Sequence, residues 1–146
     1  MKKVIGGLIA IVMVLGLIQI TATASHAEEA SPKVVIGTPV VQMSKTSKVI
    51  ILGSGFKPGQ EVRLLFTTDD GLQSDIGYAL NPEPKANENG VWATTWEAGR
   101  YVGQKLVKQG AYVITATDAD YKIIDQAPVS FAQSGGDDAA KKKKKK

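Results

Sequence analysis

Between residues 33 and 132, apolar and polar side chains alternate in short runs, and turn-forming residues stand between the runs. A period of two puts successive side chains on opposite faces of an extended chain, so each run reads as a strand with one face toward a core. Helices need apolar recurrence near every 3.6 residues, and only 99–110 shows it. The fold class that follows is all-β, a sandwich or a barrel with a single core.

Seven runs can be placed. Residues 33–42 carry Pro39, which cannot donate to a ladder, so this run is an edge strand or one that breaks and switches sheets. Residues 48–52, with Val49, Ile50, Ile51 and Leu52, are apolar on both faces, as for a central strand. Over 61–67, Val62, Leu64 and Phe66 share one face, opposite Arg63 and Thr67. Asp69-Asp70-Gly71 then turns into a weaker strand over 72–80. A loop over 81–89 closes on Asn89-Gly90, and 91–96 sets Trp92, Thr94 and Trp96 on one face. Residues 111–117 and 122–131 form a hairpin through Asp118-Ala119-Asp120. Tyr101, Val102, Lys105 and Leu106 predict one helical turn crossing between sheets, stopped by Gly110.

The sharpest motif is Gly53-Ser54-Gly55-Phe56-Lys57-Pro58-Gly59-Gln60-Glu61-Val62. Gly53 and Gly55 permit φ values that other residues resist, which lets Phe56 fold over the end of the sandwich as a plug. Pro58-Gly59 fits the middle of a type II turn. The competing use of such glycines is a phosphate loop, but no third glycine stands at dinucleotide spacing and Lys57-Pro58-Gly59 blocks a helix. This stretch resembles the G-x-G-F-x-P-G-x-x-V connection of bacterial and archaeal immunoglobulin-like modules in cell-surface and secreted proteins. The likeness spans roughly 46–131 and includes Asn89-Gly90-Val91-Trp92 and the strand 110–116. It implies an immunoglobulin-like antiparallel β-sandwich of about seven strands, serving as a spacer, adhesion unit or accessory domain, and it carries over no catalytic residue. Tyr112 is then either a plain strand aromatic or the tyrosine corner of such sandwiches, its hydroxyl bonded back to upstream backbone.

The chain opens with Lys2 and Lys3, an apolar run from Val4 to Ile20, and the small residues Ser25 and Ala27, the pattern of a signal peptide over 1–27. A flexible leader over 28–32, the sandwich over 33–132 and a disordered tail over 133–146 complete the expected organisation. The mature chain is expected outside the cytoplasm, in a periplasm or at the cell surface, with no transmembrane anchor after cleavage. Cysteine is absent, and the one histidine, His26, precedes the expected cut. Disulfides, cysteine-rich zinc sites, Ser-His-Asp triads and histidine acid–base catalysis are therefore excluded from the mature chain. Asp69, Asp70 and Asp75, and again Asp118, Asp120 and Asp125, cluster near turns; loops with alternating aspartates can offer calcium several oxygens, but aspartate also bonds to nearby backbone in ordinary turns, which is the favoured use here, and neither set has EF-hand spacing. No metal, cofactor or catalytic residue is expected.

Binding is the remaining function class. Trp92 and Trp96 would stack on sugar rings or anchor a protein if exposed, and would fill the core if buried. Core placement suits at least one of them, and Trp96, beside Glu97 near the strand end, is the candidate for exposure. Lys141, Lys142, Lys143, Lys144, Lys145 and Lys146 form a terminal run. Without that run and without Lys2 and Lys3, 10 basic residues face 14 acidic ones, a formal −4, which the six lysines turn into +2 for the mature chain. The basic pI therefore belongs to the termini, and no basic binding face is expected on the domain. The reading is a non-catalytic exported module, tethered by its lysines to an anionic polymer or lipid surface. The alternative is an accessory subunit or inhibitor docking on a protein through its edge or loops. Sequence-specific recognition of nucleic acid is not expected.

Overall fold

Seven expected runs become nine strands because two of them change sheets. The computed structural model describes residues 31–135; the expected signal peptide, the start of the leader and Lys141 to Lys146 lie outside the described residues. The first run divides into β1 (Lys33–Ile36) and β2 (Val40–Gln42) around Gly37-Thr38-Pro39. β1 pairs antiparallel with β3 (Val49–Ser54), whereas β2 pairs with β9 (Ile123–Ala132) in the other sheet. Pro39 sits at the switch, where only its carbonyl is needed: it accepts the Ser130 N–H at 2.8 Å.

The run 72–80 is corrected in the same way, since it is not one strand. β5 (Gln73–Asp75) pairs with β4 (Arg63–Thr67), a single 3₁₀ turn at Gly77–Ala79 carries the chain across, and β6 (Leu80–Asn81) pairs with β7 (Trp92–Trp96). The Asp75 carboxylate accepts the Gly77 N–H at 2.8 Å, a local bond that competes with strand extension. With β8 (Gly110–Thr117), the sheets read β1-β3-β7-β6 and β2-β9-β8-β4-β5. All pairings are antiparallel except β2 with β9, which corrects the expectation of a purely antiparallel sandwich.

The core lies between the sheets. Val49 and Ile51 of β3, Leu64 and Phe66 of β4, Trp92 and Trp96 of β7, Ile114 of β8 and Val129 and Phe131 of β9 are buried. β3 is central within its sheet, but only one of its faces is covered: Ile50 and Leu52 stand outward, 45% and 40% exposed. The β8–β9 hairpin forms as expected, with the Asp118 carboxylate accepting the N–H groups of Asp120 and Lys122, each at 2.9 Å.

The helical turn α1 (Gly99–Gly103) lies between β7 and β8 and ends well before Gly110, contrary to expectation. Its closure is a Schellman arrangement: Lys105 adopts φ 60°, its N–H bonds the Val102 carbonyl at 3.1 Å, and the Leu106 N–H bonds the Tyr101 carbonyl at 2.9 Å. A lysine occupies the position where glycine is usual.

Tyr112 takes the corner role. Its hydroxyl donates to the Lys108 carbonyl and accepts the Lys108 N–H, both at 3.0 Å, and its ring is buried against Phe66 and Phe131. Tyr112→Phe keeps the ring and strands both backbone groups. Urea denaturation is expected to show a loss of about 1–2 kcal/mol. An unchanged midpoint would mean the corner contributes nothing.

Candidate functional site

The glycine-rich connection is built as a lid over one end of the sandwich. Phe56 is 4% exposed, its ring meets Trp92 edge-on at 5.6 Å, and its N–H bonds the Gly90 carbonyl at 3.1 Å. Gly59 has φ 76° in a turn closed by the Gln60 N–H on the Lys57 carbonyl at 3.0 Å, the type II geometry expected of Pro58-Gly59. Gly55 also has positive φ, at 75°. Gly53 serves differently from expectation: the Trp92 indole lies so close that an added Cβ would sit 2.1 Å from the ring. Every glycine of the motif is thus occupied by turn or packing.

Trp92 and Trp96 form no exposed binding face, which corrects the expectation for Trp96 in particular. Trp92 is 4% exposed and Trp96 fully buried, packed against Phe66 at 4.9 Å, Tyr101 at 5.2 Å and Phe131 at 6.0 Å. The β7 pairings direct both indoles inward along with Thr94. Tyr101 is buried beside them, and burial pushes its hydroxyl pKa well above the usual tyrosine value.

The aspartates hold backbone and cations. Asp125 accepts the Val34 N–H at 2.8 Å and lies 3.8 Å from Lys33, fastening β1 to β9. Asp75 lies 3.8 Å from Arg63 and accepts the Tyr121 hydroxyl at 3.1 Å, while Arg63 covers the Tyr121 ring at 5.0 Å. Asp70 accepts the Thr68 hydroxyl and the Leu72 N–H, and these bonds hold its carboxyl below the usual range, the Thr68 bond most strongly. Among the described residues no three His, Cys, Asp or Glu side chains gather as metal ligands, and no helix is long and apolar enough to cross a membrane.

The surface hollows are open and shallow. One of about 420 Å³ runs along Arg63, Asp75, Glu83 and Lys85. Another of about 240 Å³ lies between the β4–β5 turn and the segment after α1, floored by Phe66, Tyr101 and Tyr112 and flanked by Leu72 and Leu106.

Charge is where the structure adds most to the sequence. Residues 31–135 hold ten basic and ten acidic side chains. The strand directions bring the β2–β3, β4–β5 and β7–β8 connections to the end where β9 finishes. Lys45, Lys48, Arg100, Lys105 and Lys108 gather there, all exposed, against Asp69, Asp70 and Glu97. Of these five cations only Lys48, 3.5 Å from Glu97, is in an ion pair among the described residues. The other end carries seven acidic side chains against five basic ones once the mid-strand Arg63 and Asp75 are included. The two ends thus hold equal numbers of cations, and the end where β9 finishes is the less acidic one. The signal was present as lysines in three connections, but only the fold brings these connections together.

Comparison with family models, with curated proteins and with solved structures finds no match to this chain.

Proposed function

We propose that this chain is a non-catalytic exported module that binds an anionic surface of the cell envelope, with Lys141 to Lys146 as its tether. The observation that carries the reading is the placement of charge. The described domain is balanced overall, seven of its ten acidic side chains lie away from the end where β9 finishes, and the six lysines follow within eleven residues of Gly135. Long-range attraction to an anionic surface then adds up at one pole of the molecule. Asp70, Asp75, Asp118 and Asp125 are engaged by backbone, hydroxyls or cations and the indoles by the core, which supports binding rather than catalysis. The immunoglobulin-like assignment is our reading of the strand order, with a first strand divided between the sheets and a tyrosine corner opening β8.

A second reading, docking on a protein, is favoured by one observation. On the outer face of the first sheet Val35, Leu52 and Ala93 stand in register beside Ile50, an uncharged exposed row.

Deleting residues 141–146 from the exported protein separates the two. Cosedimentation with anionic vesicles is expected to weaken at least about tenfold and to lose most of its salt dependence, because each lysine near an anionic surface contributes about 1 kcal/mol before screening. The melting temperature should not move. Undiminished binding by the shortened protein would overturn the tether, and a protein partner retained without it would favour the second reading.

A further inference from the structure

We propose that the end of the sandwich where β9 finishes is itself a docking face for an anionic lipid bilayer. Leu72 and Leu106 enter the interface there while Lys45, Lys48, Arg100, Lys105 and Lys108 meet the headgroups. The inference rests on the anionic-surface reading above and adds a folded contact to the tether.

Two connections supply the apolar part. Leu72 closes the β4–β5 turn, where its N–H bonds the Asp70 carboxylate at 3.3 Å and its carbonyl accepts the Thr68 N–H at 3.0 Å, yet its side chain is 63% exposed. Leu106 follows α1 and is 54% exposed. In a Schellman closure the residue after the left-handed position commonly packs its side chain back on the helix. Here the Leu106 backbone bonds Tyr101 as that motif requires, but the side chain remains largely in solvent. The two leucines flank the same aromatic-floored hollow, so their tips form one feature rather than two scattered exposures.

Lysines frame this feature. Lys105 and Lys108 line the same hollow together with Asp69 and Asp70, and Lys45, Lys48 and Arg100 border a second one with Glu97. Lys105 holds φ 60°, and that turn of the chain sets Leu106 directly after it at the surface. Asp69 and Asp70 do not cancel the field, because five cations face three carboxylates at this end. Gln133 lies beside Lys105 and Lys108, so the chain leading to the six lysines departs from this same face. A soluble polyanion would satisfy the cations and offer the leucines nothing. A bilayer interface takes both, with the lysine stems lying along the apolar boundary and their heads in the headgroup layer.

The test uses the exported protein, phosphatidylglycerol–phosphatidylcholine vesicles and soluble polyphosphate, with the tail deletion as a separate arm. The double variant Leu72→Ser, Leu106→Ser removes exposed side chains and should leave the circular dichroism unchanged. Its vesicle affinity is expected to fall about tenfold, from the apolar area no longer buried, with the salt slope and polyphosphate affinity unaltered. In a second variant, Leu106→Trp, fluorescence should be quenched by brominated lipid. Unchanged vesicle affinity of the serine variant, or an equal loss toward polyphosphate, overturns the docking face. If the tail deletion still weakens binding in that case, the tether stands without it. Loss in the serine variant with no effect of the tail deletion supports the face and removes the tether. Failure of the unaltered protein to bind vesicles sinks both.

Discussion

Trp96→Ala is expected to destabilise the domain by about 4 kcal/mol, a large share of the about 5–15 kcal/mol that holds a typical domain folded. Trp96 of the first sheet is fully buried against rings of the facing sheet, Phe66 from β4 and Phe131 from β9, and against Tyr101 from α1. Truncation removes the largest of the fully buried side chains and leaves a cavity that rings held by three separate elements cannot close. The indole N–H makes no hydrogen bond among the described residues, so Trp96→Phe should cost much less, since it loses volume but no polar partner. Urea denaturation of both variants checks this. A loss below about 1 kcal/mol for the alanine variant would contradict full burial and restore Trp96 as a surface residue.

Phe56→Ala should be nearly as severe, about 3 kcal/mol or more. Phe56 does not lie within a strand; it is folded over the end of the core by its connection and held by the Gly90 carbonyl. Removing its ring uncovers Trp92, whose indole is in turn pressed against the backbone of Gly53. The three positions form one stack, so Gly53→Ala combined with Phe56→Ala should fall short of the sum of the two single losses. Strict additivity in denaturant titrations would show that the lid and the indole are independent.

The comparison of sequence with structure turns on which facts are local. Alternation at Val62, Leu64 and Phe66 and at Trp92, Thr94 and Trp96 is a property of each strand, and all but Thr94 are apolar residues of the buried face; Thr94 joins them because its hydroxyl donates to the Pro82 carbonyl at 2.6 Å. The turn at Pro58-Gly59 is equally local. What failed was partnership between distant segments. Ile50 and Leu52 look as apolar as Val49 and Ile51, and nothing within 48–52 tells which pair meets the other sheet. The division of 72–80 depends on β4 and β7 lying in different sheets, which no window of that length contains. The candidate site failed for the same reason. Its lysines and leucines come from three connections separated by dozens of residues, and their sum becomes visible only when strand directions place them at one end.

The divided first strand has a mechanical consequence. β1 begins at the end of the sandwich opposite to the one where β9 finishes, and β2 runs parallel to β9 through Val40, Val41 and Gln42. If the lysine tail is fixed to a surface and the N-terminal side is drawn away from it, β2 and β9 are pulled past each other along their length. Their hydrogen bonds then resist together in shear instead of opening one at a time from an edge. The same pull draws β1 along β3, and the Asp125 bond to the Val34 N–H ties that strand to β9 as well. Tension applied between the two termini would therefore load the edge strands of both sheets in shear.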